Sequence, residues 1–238
     1  MKIVWNEQSF NWFSRASEYT GYNRALADIL LKHLPQGETL CDMGCGASLI
    51  DFELAPFFSE ITCVDISEEV IRFVNEQIRQ RNIHNISALC SDGGTLDGSW
   101  DSVMALFHGG TDAIDCYLKK ARKVLVLATH GTKRGNIGPE KHKASKCCDI
   151  DSMCQYLENR NIHYTMQEAA IEYGQPLTGL DDARAFVRAY TTPMDDAELE
   201  AYLASNLQKT GREDYPYYLP NERRFGIFVI RRDENENI

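Results

Sequence analysis

The sequence predicts a doubly wound α/β fold, and three observations carry that prediction. Short apolar runs alternate with amphipathic helical stripes over the first two thirds of the chain. Each of the first three runs ends at an acid or a glycine, and a strongly β-prone run closes the chain. Strand and helix repeated at this spacing imply parallel strands joined by right-handed crossovers, with helices on both faces of one sheet.

Residues 39–42, 61–64 and 86–90 are the first three predicted strands, ending respectively at Asp42, Asp65 and just before Asp92. Residues 101–107 and 122–129 supply the fourth and fifth. Between them, residues 67–81 read as a helix. Ser67 caps its first turn, Glu68 and Glu69 suit its positive end, and Val70, Val74 and Ile78 form one apolar face. Leu26, Leu30 and Leu34 make a similar stripe before the first strand. Further on, residues 149–159 read as a helix and 162–171 as a sixth strand. A long polar and helical interval follows, with stripes at Ala183, Val187 and Tyr190 and at Leu199, Leu203 and Leu207. Thr192-Pro193 reads as the entry to the second of these helices. Residues 224–231 form the seventh, closing strand, and the charged residues 233–238 read as a frayed tail.

The chain of 238 residues, 43% hydrophobic, suffices for one sizeable core and reads as a single domain. We divide it into N-terminal helices (1–35), a core (36–172), a helical insertion (173–221) and the closing strand (222–232). No stretch approaches the roughly 18–20 apolar residues that cross a bilayer, and the N-terminus lacks a signal-peptide pattern. The expectation is a cytoplasmic protein with no membrane partner. A net charge of −10 disfavours binding to a phosphate backbone. The one basic concentration is Lys133, Arg134, Lys141, Lys143 and Lys146, read as a solvated loop or a contact for an anionic acceptor. Eight cysteines indicate a reducing compartment, and Cys147, Cys148 and Cys154 with His142 lack the spacing of a zinc site, so no metal is expected.

Chemistry begins at the turn Asp42-Met43-Gly44-Cys45-Gly46. Gly44 and Gly46 remove side chains that would block a ligand at the carboxyl end of the first strand, where open α/β sheets bind ligands. A dinucleotide fingerprint needs a third small residue three positions later, and Leu49 stands there. Asp42 instead suits a ligand with a cationic amino-acid end, held directly or through water. Asp65, roughly 20 residues past the turn, can accept two hydrogen bonds from a ribose diol. Asp92-Gly93, after the third strand, is placed to meet an adenine edge.

With both acids and the glycine turn at the ends of successive strands, the chain resembles the class I S-adenosylmethionine-dependent methyltransferases over residues 36–130. The resemblance implies S-adenosylmethionine as cofactor and an antiparallel seventh strand. It implies Asp42, Gly44, Cys45 and Gly46 around the methionine part, Asp65 at the ribose, Asp92 with Gly93 at the adenine, and Ile66 as a further cofactor contact. It also makes residues 1–35 a lid and residues 173–221 a roof over the substrate side. Phe107 and His108 fall beside the sulfonium and the acceptor. Ser48 occupies the place where the family commonly has a third glycine. Residues 5–22 look like a lid helix, with Trp12, Phe13, Arg15 and Tyr19 as contacts, or equally like a helix packed at the sheet edge.

Methyl transfer asks the enzyme to align the acceptor and keep water out; a base is needed only where the acceptor loses a proton. His108 is the first candidate for that base, followed by Tyr19 and His130. Tyr190, Tyr215, Tyr217 and Tyr218 read as a pocket wall, core or homodimer contacts. Leu106-Phe107-His108-Gly109-Gly110 replaces the Asn-Pro-Pro-Tyr type of motif and argues against methylating a nucleobase amine. The reading is therefore a methyltransferase with a small-molecule acceptor. Its alternatives are a non-catalytic binding module of the same fold, an RNA methyltransferase, and a nicotinamide-dependent oxidoreductase whose glycine pattern Leu49 breaks.

Overall fold

The computed structural model describes residues 4–131, 137–143 and 148–235. Lys133, Arg134, Lys146 and Cys147 lie outside the described residues. In chain order the helices are α1 (Glu7–Thr20), α2 (Tyr22–Leu30), α3 (Leu49–Leu54), α4 (Glu68–Gln80), α5 (Ile114–Lys120), α6 (Ile150–Asn159), α7 (Leu180–Tyr190) and α8 (Asp196–Asn206). The strands are β1 (Thr39–Met43), β2 (Glu60–Asp65), β3 (Ile86–Cys90), β4 (Trp100–Leu106), β5 (Ala121–His130), β6 (Thr165–Glu172), β7 (Gln175–Leu177), β8 (Gln208–Lys209), β9 (Tyr217–Leu219) and β10 (Glu222–Arg231). No helix of the described residues is long and apolar enough to cross a membrane.

Seven strands form one sheet in the order β3-β2-β1-β4-β5-β10-β6. The pairings β3–β2, β2–β1, β1–β4 and β4–β5 are parallel, and β10 runs antiparallel to β5. Leu40, Cys41, Asp42 and Met43 are all buried, as a strand covered on both faces requires. The apolar run 124–128 in β5 and the run 225–230 in β10 are buried for the same reason. Helix α4 forms where the sequence placed it. Ser67 accepts the Val70 N–H, Glu68 and Glu69 occupy the first turn, and Val70, Ile71 and Val74 are buried.

The chain divides into two compact units: Met1–Tyr22, Lys133–Lys146 and Ala170–Arg224 in one, and Asn23–Thr132, Cys147–Ala169 and Phe225–Ile238 in the other. In the larger unit, one core joins Cys41 and Met43 of β1 to Leu125 and Leu127 of β5 and Phe228 and Ile230 of β10. Ile114, Tyr117 and Leu118 of α5 and Met153 and Leu157 of α6 close over it. The smaller unit has its own core of Trp12, Leu177, Phe186, Val187, Leu199 and Leu203. The sequence showed its helices α1, α7 and α8 but not its three-stranded sheet, β7-β9-β8, because strands of two or three residues leave no readable alternation. The helix entry expected at Thr192-Pro193 lies three residues later, where Asp195 caps α8 by accepting the Glu198 N–H at 2.8 Å. A carboxylate at the cap satisfies a helix N–H that Thr192, bonded instead to the His142 carbonyl, leaves to it.

Phe228 is among the largest fully buried side chains. Phe228→Ala is expected to cost about 3–5 kcal/mol, the range for emptying a phenylalanine site in a core; urea denaturation followed by circular dichroism measures it.

Candidate functional site

The site is built where β1, β2 and β3 end. Gly44 and Cys45 both donate their N–H groups to the Val64 carbonyl, at 2.8 and 3.0 Å. That single acceptor ties the turn after β1 to the end of β2. Gly44 has φ +75° and Gly46 φ +53°, conformations that a side chain disfavours. Ser48, at the place of the family's common third glycine, is itself left-handed with φ +51°. Serine holds this conformation at a cost of roughly 1–2 kcal/mol.

Asp65 has both carboxylate oxygens engaged by backbone. Oδ2 accepts the Gly46 N–H at 3.1 Å and Oδ1 the Ser67 N–H at 2.9 Å. Each oxygen keeps a second lone pair, so the carboxylate is fixed in place and still able to accept from a diol. Asp92 accepts the Gly94 N–H at 2.8 Å and is exposed. Ile66 offers an apolar side chain that is 62% exposed, an unusual state for isoleucine and a suitable surface for a flat ring.

Gly44, Asp65, Ile66, Asp92, Gly93 and His108 line one cavity of about 140 Å³. His108 lies directly against Gly44: a Cβ built there would stand 2.0 Å from the imidazole Cγ. Six residues chosen from sequence therefore converge on one space. A second, smaller cavity of about 20 Å³ shares His108 with the first and adds Phe107, Thr129, His130 and Cys148. Phe107 belongs to this smaller space. It is left-handed with φ +59°, and its ring packs 5.2 Å from His130 and 5.5 Å from Phe225.

Asp42, Cys45 and Gly46 do not line the larger cavity. Asp42 is buried beneath the turn, 2% exposed, and Cys45 is buried beside it. Arg15 and Tyr19 belong to the smaller unit. There Arg15 pairs with Asp182 at 2.9 Å, and the same carboxylate accepts the Trp12 indole N–H at 2.8 Å. Tyr19 stacks on Tyr218, ring centres 5.0 Å apart. Of the basic residues from the loop, Lys141 pairs with Glu198, and Lys143 with Glu140 at 2.6 Å.

Two residues at the site escaped the sequence reading. Tyr117 of α5 borders both cavities. Burial, helped by the charges of Cys116 and Asp92, pushes its hydroxyl up to about 12, so it stays protonated at neutral pH. Asp51 of α3 is wholly buried and hydrogen-bonds Asp42. Burial pushes Asp51 up to about 6, and burial followed by the Asp51 charge pushes Asp42 well above the usual carboxylate range. An acid inside Leu49-Ile-Asp-Phe-Glu-Leu54 carries no pattern that distinguishes it from a surface residue of a short helix.

Residues 40–127 match the family model described as a methyltransferase domain. Over 105 residues the chain is 30% identical to a protein of Methanosarcina acetivorans named "Probable cobalt-precorrin-6B C(15)-methyltransferase (decarboxylating)". That match spans 40% of this chain and 57% of the relative. Among solved structures, precorrin-6y C5,15-methyltransferase from Geobacter metallireducens superposes with a TM-score of 0.52 at 13% identity, covering 87% of each chain. Precorrin 8W decarboxylase from Methanobacterium thermoautotrophicum gives 0.53 at 10% identity, over 87% of this chain and 89% of that one. Likeness at such identities shows a shared fold.

Gly44→Ala is expected to lose about 1–2 kcal/mol from the left-handed backbone alone and to displace the His108 ring as well. Denaturation midpoint and ring-proton shifts of His108 in NMR would register the two effects separately.

The acid pair gives stability a definite pH dependence. The unfolded chain releases these protons near the ordinary carboxylate range, whereas folded Asp51 holds its proton to about 6 and Asp42 higher. Between those limits the folded state binds more protons, so its stability falls as pH rises from about 4 through 6 and goes on falling until Asp42 has released its proton as well. Asp51→Asn should flatten that fall and raise Tm at pH 8 relative to wild type; thermal scans from pH 5 to 8 provide the comparison.

Proposed function

We propose, from the premise that residues 40–127 are a methyltransferase domain of the class I fold, that this protein binds S-adenosylmethionine in the 140 Å³ cleft and methylates a small-molecule acceptor. The observation that carries the reading is the convergence of Gly44, Asp65, Ile66, Asp92, Gly93 and His108 on one cavity at the ends of three adjacent strands. The residues fit that cofactor. Asp65, pinned by two N–H groups, has lone pairs for the ribose diol. Asp92 can accept from an adenine amino group while Ile66 lies against the ring. Gly44 leaves the turn open, and Asp42 places negative charge behind it for the ammonium end.

When bound, S-adenosylmethionine supplies a methyl group on a sulfonium sulfur, already activated for displacement. The protein's own task is to hold the acceptor in line and exclude water. His108 borders both cavities and is the residue placed to take a proton where the acceptor must lose one. Tyr117, protonated across the neutral range, can donate a hydrogen bond to the same space. The matched relative's name, which specifies a precorrin, supports a small-molecule acceptor. So do the net charge of −10 and the pairing of Lys141 and Lys143 with carboxylates.

Calorimetric titration with S-adenosylmethionine and S-adenosylhomocysteine tests the reading. Wild type is expected to bind both in the micromolar range. Asp65→Ala and Asp92→Ala, with folding checked by circular dichroism, should each weaken binding roughly 10- to 100-fold, the effect of losing a charge-assisted hydrogen bond. Folded wild type that binds neither compound would sink the proposal.

A further inference from the structure

Beneath the glycine turn lies a polar cluster that the cofactor contacts above do not use. Asp42 sits on β1 and Asp51 on α3, 2% and 0% exposed. The two side chains hydrogen-bond one another. Asp42 Oδ1 and both oxygens of Asp51 find no partner of full hydrogen-bond geometry; the Ser48 hydroxyl, 1% exposed, and the Cys63 thiol are the neutral donors near Asp51, and both act to lower its carboxyl against the larger effect of burial. Carboxylates only accept. Two of them can bond each other only through a hydrogen that one of them carries.

The surroundings leave that proton where it is. The thiols of Cys41 on β1 and Cys63 on β2 are raised by burial and stay neutral, and Cys45 adjoins them in the turn. Asp65 adds a negative charge from β2. From α5, Tyr117 is protonated, and the Lys120 ammonium is spent on the Leu96 carbonyl. Among the described residues no lysine or arginine forms an ion pair with Asp42 or Asp51. Two bare carboxylates in such a place repel strongly, so one proton between them is the stable state.

We propose that Asp51 is a positioning residue for cofactor binding: it shares one proton with Asp42 in the ligand-free protein, and a ligand bearing a cationic amino-acid end expels that proton. The inference rests on the cofactor reading. The step balances: the carboxyl O–H bond breaks, the proton passes to solvent, and the second negative charge is matched by the positive charge arriving in front of the turn. The pair thereby favours ligands that carry a cation at this end, and Asp51 does so without touching them.

The test is titration of the intact protein with S-adenosylmethionine at one pH in phosphate and in Tris, whose ionisation enthalpies differ widely. Wild type should show a buffer-dependent enthalpy in the sense of proton release, and its affinity should rise between pH 6 and 8 by up to roughly tenfold per unit, the limit for one linked proton. Asp51→Asn keeps a hydrogen-bond donor to Asp42 but removes the charge that helps Asp42 hold the shared proton, so both the difference in enthalpy between the buffers and the rise of affinity with pH should shrink clearly below wild type. Asp51→Ser should behave likewise, which a purely structural effect on packing would not produce. Tight binding with the same enthalpy in both buffers overturns this inference alone, as does an undiminished proton release in a folded Asp51 variant. A wild type that binds no S-adenosylmethionine overturns the cofactor reading and this inference together. If neither variant folds, the wild-type comparison between buffers decides.

Discussion

Two hydrogen bonds to one acceptor, from Gly44 and Cys45 to the Val64 carbonyl, fix the site. They extend the parallel register that pairs Met43 with Val64, and they stop β1 from continuing as a strand. Because the next residue of β2 is Asp65, the same anchoring brings its carboxylate within reach of the Gly46 N–H. The turn and the acid that follows it are therefore one unit. Sheet register determines where the Asp65 carboxylate stands relative to the glycines of the turn, and no loop has to be positioned independently.

Several costs fall close together around the turn. Ser48 and Phe107 hold left-handed conformations, each roughly 1–3 kcal/mol above an ordinary backbone. Two carboxyls lie buried there with no cation paired to them among the described residues. Away from the turn, the sheet follows the ordinary rules: continuous apolar runs at its centre, a capped helix α4, and one core shared by β1, β5, β10, α5 and α6. Strain of this kind persists where the fold over-determines it, and here the register of three adjacent strands does so.

What the sequence made legible follows from the range of the interactions involved. Residues 86–90 were readable as a strand and residues 68–80 as a helix because apolar spacing and a serine cap are local signals. The glycine turn and its two acids were readable because chain spacing repeats strand by strand. Asp51 and Tyr117 were not, since their importance arises only when α3 and α5 pack against the sheet and bury them. The short strands β7, β8 and β9 stayed hidden for a different reason: their pairing is set by partners distant in sequence, and too few residues alternate to show it. Ile66 lay between these cases. It was placed by family likeness, and only the fold shows an isoleucine held largely in solvent beside the cleft.

These features connect stability to ligand occupancy. A ligand-free turn that carries buried acids and left-handed residues keeps part of the folding free energy unrealised. Charge complementarity at that turn can recover some of it when a cation arrives, because an attraction across a water-poor turn is stronger than the same attraction at a wet surface. Any ligand that binds only the folded chain adds stability in proportion to the logarithm of its saturation, and here the turn supplies a structural route for that gain. On the proposed reading, the acids that are costly to bury are also the groups that favour a cation at the turn, so the cost of burying Asp42 and Asp51 and the proposed preference for a cationic ligand have a common origin.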